Sequence, residues 1–459
     1  MAADFVLFMK QSAIKNGYYY TPMQFLRRTP ILLAGLMALS LVPALAPSQA
    51  TPPPPNSAAA PTAPKALDAA TKKSVLDAME RTINTMAFVP NVDFSKWNEF
   101  VAAEKANIDK ATSENDFAAA VNRALNNFGF SHITLFPPSF GQQRLTQRRA
   151  GIGIRIQIEE GGLRVASVLK ETPAEEAGIR MGDLIVESDG KKVRSTADLA
   201  GELGQTSRIK LIRDGKDITL EVTRAEYSTV IPESIEWKAD KKAAVVTIPT
   251  FDQGYSRANV DSLMKQSMSA DLLILDLRSN GGGLVLNLQH LMSYFLDRET
   301  QPLGTFLGKR TVEDYEKATG QKATDLVKVA EKTTAKVRPF KAEGPLFKGK
   351  VAVLVNGATG SASEMAAAAL RDHRNAQVIG SKTAGAVLAS MMLPLRDGGG
   401  FWMQFPVTDY VTIKGIRLEG NGVTPDMTAE MPRFGETDQA IAKALAILGD
   451  AARVPNTNP

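Results

Sequence analysis

Two segments of the chain place glycine and polar residues directly after an apolar, strand-like run and before a helix-like run. The first, Asp276–Gly283, follows the run Leu272–Leu277, and the second, 356–364, follows the run Gly349–Val355. Largely apolar runs of this length are typical of strands buried on both faces. They predict alternating strands and helices, an α/β fold, over about residues 227–432.

A strand, a tight turn and a helix in this order present a side chain at a helix N-terminus, where unsatisfied N–H groups can hold a negative charge. An acyl-transfer enzyme needs this geometry, with a hydroxyl nucleophile beside N–H donors for the tetrahedral oxyanion. The second turn supplies the hydroxyls of Ser361 and Ser363. The alternative is that one of these serines only caps the helix, and the local sequence alone favours that alternative.

The composition excludes several kinds of chemistry. Cysteine is absent, so disulfides, thiolate metal sites and a cysteine nucleophile are excluded, and any imidazole chemistry must use His132, His290 or His373. No Gly-Lys-Ser/Thr triplet of a Walker A loop occurs. Lys and Arg number 54 against 49 Asp and Glu, without a basic block carrying aromatic residues. We therefore expect no nucleic-acid partner, no metal and no cofactor.

Residues 1–50 have the pattern of a secretory signal peptide. Two arginines precede a short apolar run, Ile31–Ala46, and small residues follow it. The run is interrupted by a proline, and retention as a membrane anchor is the alternative. A Pro- and Ala-rich linker is expected over residues 51–64. The pattern predicts a secreted or periplasmic protein, with membrane association before the leader is removed.

The rest of the chain divides into segments of different periodicity. Apolar residues recur at three- and four-residue spacing over residues 65–149 and predict a small helical domain. Short strands and turns follow over residues 150–226, and the α/β core occupies residues 227–449, with a tail at 450–459. A polar, lysine-rich stretch at about 306–344 is expected to be a solvated insertion.

The segment from Thr172 to Gly190 has a distinctive turn pattern. A Thr-Pro-Ala-Glu-Glu-Ala-Gly run precedes Met-Gly-Asp-Leu-Ile and a tight Asp-Gly turn, and the segment resembles a PDZ domain. The resemblance implies that an extended peptide adds to a strand edge while a glycine-rich loop takes its terminal carboxylate. That loop corresponds to Gly151, Ile152, Gly153 and Ile154. The alternative, a dinucleotide-binding fingerprint, needs a third glycine where the chain has Ile156.

The order of these pieces and three motifs resemble the C-terminal processing, or tail-specific, serine peptidases. The motifs are Asp276–Gly283, Ser361-Ala362-Ser363-Glu364 and Gly420–Asp426. The resemblance implies a multidomain α/β protein in which a helical segment and a PDZ domain precede a ClpP/crotonase-like peptidase core. It also implies that Ser361 is the nucleophile and that the N–H groups of Ala362 and Gly282 form the oxyanion hole.

The chain departs from the better-known members of that family, which use a Ser–Lys dyad. The position of their lysine is occupied here by Ala386, and that of a following glutamine by Ser390. Lys382 lies nearby but four residues too early. A dyad that uses Lys382 is an alternative, although an exposed surface lysine is the simpler interpretation.

The tricorn-like relatives use a serine, a histidine, a second serine beside that histidine, and a glutamate. Ser131, His132 and Glu419 lie in motifs that resemble this tetrad. A serine hydroxyl is a weak nucleophile and needs an adjacent base. The resemblance implies that His132 takes the proton and returns it to the leaving amine, while Glu419 and Ser131 orient the imidazole. Without the family pattern, His132 and Glu419 are ordinary structural residues.

The sequence therefore predicts a serine endopeptidase that binds accessible C-termini of proteins or peptides on its PDZ domain and cleaves through an acyl-enzyme. The alternative from another class is a catalytically inactive PDZ-containing pseudopeptidase that only binds protein tails. A PDZ domain inserted between the histidine segment and the core also allows gating, and the resemblance implies a homo-oligomer. His290, His373, Glu364, Asp276 and Arg278 are interpreted as structural.

Overall fold

A computed structural model gives the fold. The structure describes residues 67–194, 196–199, 201–432 and 436–449. The expected signal peptide, linker and tail lie outside the described residues. No helix in the described ranges is both long enough and apolar enough to span a membrane.

The N-terminal segment consists of three helices, one short strand and a fourth helix. Asp68 caps the first helix by accepting the Thr71 N–H, and Ser113 caps the third in the same way. In the first and third helices buried residues recur every three or four positions, so each of these two turns one apolar stripe inward. The elements are α1 (Ala69–Met86), α2 (Trp97–Lys110), α3 (Glu114–Asn126), β1 (Thr134–Phe136) and α4 (Pro138–Thr146).

The middle segment is a small antiparallel β-domain with its own hydrophobic cluster. Its strands are β2 (Arg148–Gly151), β3 (Ile154–Glu159), β4 (Gly162–Val168), β5 (Leu184–Ser188), β6 (Lys191–Lys192), β7 (Thr206–Arg213), β8 (Lys216–Thr223) and β9 (Ala225–Ser228), and α5 (Pro173–Glu176) follows β4. The main sheet has the order β3-β4-β5-β7-β8, so β3 and β8 are its two edges. A left-handed Asp214-Gly215 turn joins β7 to β8.

The C-terminal segment contains two sheets and the remaining helices. The strands are β10 (Ser234–Lys238), β11 (Ala243–Thr247), β12 (Leu272–Asp276), β13 (Gly304–Gly308), β14 (Lys336–Val337), β15 (Lys350–Val355), β16 (Gln377–Gly380), β17 (Ala389–Pro394), β18 (Trp402–Thr412) and β19 (Met427–Thr428). The helices are α6 (Arg257–Ser267), α7 (Val285–Met292), α8 (Lys309–Thr319), α9 (Leu326–Lys332), α10 (Ala362–Arg374) and α11 (Gln439–Gly449).

The first of these sheets is the central one, with the order β10-β11-β12-β15-β16-β19. All of its pairs are parallel except β10 with β11. The polar turns predicted at the carboxyl ends of two buried strands follow β12 and β15, which are neighbours in this sheet. Parallel neighbours end at the same edge, so both turns meet there.

The helical segment packs against the second sheet of the core. β1 pairs with β18, so that Leu135 lies opposite Met403. Helical residues such as Phe117 share one hydrophobic cluster with Phe401 of the core. The segment therefore adds a strand to the core, a contact that the helical periodicity of residues 65–149 does not reveal.

The stretch expected to be a solvated insertion is partly packed. β13 pairs with β18, and Val329 and Ala330 of α9 are buried in a cluster with Leu307 and Val411. Helix α8 has no buried residue. The polar composition correctly indicates that α8 is exposed, but it does not indicate that α9 has a buried apolar side.

Candidate active site

Ser361 occupies a sharp turn between β15 and α10. Its backbone angles, φ 53° and ψ −120°, are rare for a residue other than glycine. Its N–H donates to the carbonyl of Ala386 at 2.8 Å and to Oε2 of Glu364 at 3.0 Å. Ser363, the other candidate hydroxyl, is fully buried, and its Oγ has no hydrogen-bond partner among the described residues. The strained turn therefore leaves Ser361 partly exposed and buries Ser363.

The two predicted oxyanion donors lie on either side of this turn. Ala362 is the first residue of α10, where helical N–H groups lack partners within the helix. Gly282 approaches so closely that a Cβ there would lie 2.6 Å from the Cβ of Ser361. The N–H of Gly282, however, donates to Oδ1 of Asn280 at 2.9 Å. To serve an oxyanion, this N–H would have to leave that acceptor.

Glu419, Ser131 and His132 form a continuous hydrogen-bonded relay. The N–H of Ser131 donates to Oε1 of Glu419 at 2.7 Å, and its hydroxyl donates to Oε2 at 2.9 Å. The same hydroxyl lies 2.7 Å from Nδ1 of His132. Glu419 is 4% exposed and comes from a loop 288 residues along the chain from Ser131. The fold thus joins the three residues that the tricorn-like resemblance pairs.

This relay determines which nitrogen of His132 carries the proton. The single hydroxyl hydrogen of Ser131 is given to the Glu419 carboxylate, which has none to return. Ser131 must therefore accept a hydrogen bond from a protonated Nδ1 of His132, which leaves the free lone pair on Nε2. Burial lowers the pKa of His132, while the negative charge of Glu419 opposes the change. The result is a neutral imidazole with a basic Nε2, as a general base requires.

Glu364 has a larger role than the helix-dipole interaction expected from its position in the first turn of α10. It is fully buried, and Oε1 accepts from the Thr383 hydroxyl at 2.5 Å and from the Gly385 N–H at 2.8 Å. Oε2 accepts from the N–H groups of Ser361 and Ala386, each at 3.0 Å. Burial raises the pKa of this carboxyl, and the four hydrogen bonds oppose the rise.

Glu364 and Glu419 together hold one short segment of chain. Glu364 accepts the N–H groups of Gly385 and Ala386, and Glu419 accepts those of Val387 and Leu388 at 2.8 and 3.3 Å. We call residues 385–388 the bridge segment. Its Ala386 carbonyl also accepts the Ser361 N–H, so the segment connects the serine turn to the histidine relay. Sequence comparison marks it only as the place where the dyad lysine is missing.

Two candidate contacts are not made in this structure. No hydrogen bond between His132 and Ser361 occurs in the described part of the chain, so the relay stops at the imidazole. Lys382 is exposed and forms no hydrogen bond or ion pair through its side chain within the described residues. The other two histidines bond elsewhere, His290 to Tyr255 and Asp261, and His373 to the carbonyl of Pro302.

The predicted peptide-binding loop leads into an unpaired strand edge. Gly151 ends β2, and Ile154 begins β3, one of the two edges of the middle sheet. Gly153 has φ +82°, and a Cβ there would lie 2.3 Å from the Cβ of Thr172. An unpaired edge is what strand addition by a peptide requires.

A cleft of about 360 Å³ separates this β-domain from the serine turn. Arg155 of β3 and Arg149 of β2 line one side, and Ser279 and Gly281 of the turn after β12 line the other. Gly281 precedes the glycine that contacts Ser361. The cleft therefore extends from Arg155 of the edge strand to the turn in which the next residue, Gly282, lies beside Ser361.

Comparison with known families supports this arrangement. The family model for peptidase family S41 matches residues 242–429, and the model for a PDZ domain matches residues 150–223. Residues 242–429 therefore match an S41 peptidase domain and residues 150–223 match a PDZ domain. The S41 match includes Gly282, Ser361 and Glu419, whereas Ser131 and His132 lie outside both matched ranges.

Curated proteins that are similar to this chain are described as serine proteases. The chain is 27% identical over 291 residues to a probable CtpA-like serine protease of Staphylococcus aureus, which corresponds to 62% of this chain and 53% of the relative. A protein of the same description from Staphylococcus haemolyticus is 26% identical over 291 residues, with the same coverage. The chain thus spans about half the length of the curated relatives it matches.

Solved structures share the fold at low sequence identity. A putative S41 protease from Bacteroides fragilis matches with a TM-score of 0.51 and 19% identity, over 82% of this chain and 97% of that one. Mature CPAF complexed with lactacystin matches with a TM-score of 0.51 and 14% identity, over 83% and 98%. The predicted family and fold class are confirmed; at these identities the structural likeness concerns the fold alone.

Proposed function

We propose that this protein is a serine endopeptidase that recognises protein C-termini through its PDZ domain. The observation that carries the proposal is the Glu419–Ser131–His132 relay, which leaves a basic Nε2 on a partly buried, neutral imidazole. Together with a strained serine at a helix N-terminus, it supplies the groups that acyl transfer needs. We further propose that the chain is exported to the periplasm or beyond the cell, on the basis of its leader pattern.

In this mechanism the Ser361 hydroxyl attacks the scissile carbonyl as Nε2 of His132 takes its proton. The negative charge of Glu419 stabilises the imidazolium, and Ser131, which hydrogen-bonds both groups, lies between them. The Ala362 N–H, and the Gly282 N–H once it leaves Asn280, hold the oxyanion. His132 then gives the proton to the leaving amine, and an acyl-enzyme on Ser361 remains for hydrolysis by water. Catalytic hydrogen bonds often tighten only when substrate binds, so the unmade His132–Ser361 bond is compatible with these steps.

A second function, a pseudopeptidase that only binds protein tails, is favoured by two specific observations. The Gly282 N–H is engaged by Asn280, and His132 does not bond Ser361. Permanent retention of both features would leave the serine unactivated. A dyad based on Lys382 has less support, because that side chain is exposed and unbonded within the described residues. Self-assembly and membrane association stay predictions.

The experiment is labelling of Ser361 with a serine-directed phosphonate, combined with hydrolysis of casein by the purified protein. Labelling and turnover are expected, and Ser361→Ala should abolish both. His132→Ala should lower turnover by about two to four orders of magnitude, the usual contribution of a general base. His373→Ala is the matched control, because that histidine bonds a distant carbonyl.

Two outcomes would contradict the proposed mechanism. If His132→Ala keeps its activity and Lys382→Ala loses it, the base is the lysine. If neither labelling nor turnover occurs while peptides with free C-termini bind, the protein is a pseudopeptidase.

A further inference from the structure

The cleft between the PDZ domain and the serine turn has an excess of positive charge. Arg144, Arg149 and Arg155 line it, and Asp252 is its single acidic lining residue. Arg144 is neutralised by Asp252 through two hydrogen bonds of 2.7 and 2.9 Å. The two remaining guanidinium groups leave about two uncompensated positive charges in a partly enclosed space.

Arg149 and Arg155 have no ion pair or side-chain hydrogen bond among the described residues, although their neighbours do. Arg148, the adjacent residue of β2, pairs with Glu226 at 3.4 Å. Arg164, on the strand beside β3, pairs with Glu159 at 3.0 Å. Both arginines that line the cleft apart from Arg144 thus keep a guanidinium group without a partner among the described residues.

Their position connects the two parts of the proposed function. Arg155 follows Ile154, the last residue of the predicted carboxylate loop, and lies on the edge strand where a peptide would add. On the opposite side, Gly281 precedes the Gly282 that touches Ser361. A substrate held by its C-terminus on β3 and cleaved at Ser361 would pass through this cleft.

We propose that Arg149 and Arg155 form a specificity site for an acidic side chain of the substrate, located between its C-terminal residue and its scissile bond. This inference rests on the proposed function. Guanidinium groups bind carboxylates with paired, charge-assisted hydrogen bonds, which neutral amides cannot match. The substrates favoured by this chain are then protein tails that carry Asp or Glu near the C-terminus.

The test measures binding separately from cleavage. The Ser361→Ala protein is titrated with fluorescent peptides that share one C-terminal residue and differ by Glu or Gln at one scanned position. At one or more positions the Glu peptide should bind about five-fold more tightly, and the difference should shrink in high salt because the arginines are exposed.

Charge reversal tests the assignment to these two residues. In the same background, Arg149→Glu with Arg155→Glu should abolish the preference for Glu and favour a Lys peptide instead. The matched control is Arg208→Glu with Lys216→Glu, which changes the net charge equally. Both control residues are exposed on β7 and β8, toward the opposite edge of the sheet, and neither lines the cleft.

The outcomes separate this inference from the proposed function. Equal binding of Glu and Gln peptides at every position would overturn the inference, as would equal loss of the preference in the control pair. Equal weakening of all peptides by the Arg149 and Arg155 changes would also overturn it, since this would indicate contact with the shared terminal carboxylate. A wild-type protein that shows the preference but no turnover would overturn the proposed peptidase while leaving this site in place.

Discussion

His132 combines a partly buried imidazole with a hydrogen-bond partner, Ser131, that accepts only from Nδ1. Burial lowers its pKa below the ordinary 6.5, and Glu419 pulls the pKa in the opposite direction. The imidazole is therefore neutral at neutral pH, which is the protonation state that the proposed general base requires. As protons are added, it becomes charged only below its usual range, so under the proposed mechanism the acid side of the activity profile should report on this residue.

We expect kcat/KM for peptide hydrolysis to rise with pH through a midpoint below 6.5. Glu419→Gln removes the charge that raises the pKa of His132, so this midpoint should move to lower pH. Turnover should also fall about a hundred-fold, because the imidazolium loses its stabilising charge. Asp261→Asn, which changes the partner of His290, is the control and should leave the midpoint in place. A midpoint that rises in Glu419→Gln would contradict His132 as the base.

Glu364 shows how a single carboxylate can fix the geometry of a turn. Each of its oxygens accepts two hydrogen bonds. Three of the four donors are backbone N–H groups, which cannot accept a hydrogen bond from the NH₂ of a glutamine at this position. Only the Thr383 hydroxyl could accept one. Glu364→Gln should therefore destabilise the protein by about 2 kcal/mol, the usual cost of unsatisfied buried groups, and lower phosphonate labelling of Ser361.

The measurement for Glu364→Gln is chemical unfolding together with the rate of labelling. Thr383→Ser is its control, since it keeps the hydroxyl that donates to Glu364 and accepts from the Val423 N–H at 2.6 Å. Wild-type stability and labelling in Glu364→Gln would show that the carboxylate does not hold the turn.

At the scale of single elements, we expect β3 and its preceding loop to determine whether a peptide can add to the PDZ domain. Gly153 has both a left-handed φ of +82° and no room for a side chain, because Thr172 is fully buried against it. Gly161, in the turn between β3 and β4, has a similar φ of +93° but open space around it. The two glycines therefore separate backbone strain from steric overlap.

Gly153→Ala is expected to weaken binding of C-terminal peptides to Ser361→Ala protein, since relief of a 2.3 Å contact with Thr172 must shift the loop. Gly161→Ala should cost about 1 kcal/mol of stability from strain alone and leave binding unchanged. Fluorescence anisotropy with a labelled peptide, alongside thermal unfolding, distinguishes the two. Equal binding by both variants would show that the Gly153 loop does not take the peptide.

The elements also show what the sequence could and could not predict. The buried strands β12 and β15 and their polar turns were predictable, because apolar runs and glycine clusters are local signals. The relay required a resemblance, since 288 residues separate Ser131 from Glu419. No periodic sequence pattern indicates the hydrogen bonds that Glu364 accepts from Thr383, Gly385 and Ala386. The same is true of the bond from Gly282 to Asn280. A carboxylate in a first helical turn looks the same whether it is exposed or holds a loop.

Across the whole molecule, one hydrophobic cluster supports the segment that carries His132 and a separate cluster supports the PDZ domain. One joins α1, α3 and β1 to β18, so the helical segment that carries Ser131 and His132 is anchored to the core. The other belongs to the PDZ domain alone. The side chain of Asn122 strengthens the first connection by bonding both the N–H and the carbonyl of Leu135, at 2.8 and 3.0 Å. Catalysis and tail binding should therefore respond differently to loss of packing.

Leu135→Ala tests this division against Leu211→Ala. Both leucines are almost fully buried, at 1% and 0% exposure, in the first and the second cluster respectively. Each change should destabilise its own cluster by about 2–5 kcal/mol. Because Leu135 lies three residues after His132, its loss should reduce hydrolysis of an unstructured peptide well before it affects peptide binding. Leu211→Ala should reduce peptide binding first and leave phosphonate labelling of Ser361 near wild type. If Leu211→Ala abolishes labelling as fully as Leu135→Ala does, the PDZ domain is required to assemble the serine site, and the two clusters act as one unit.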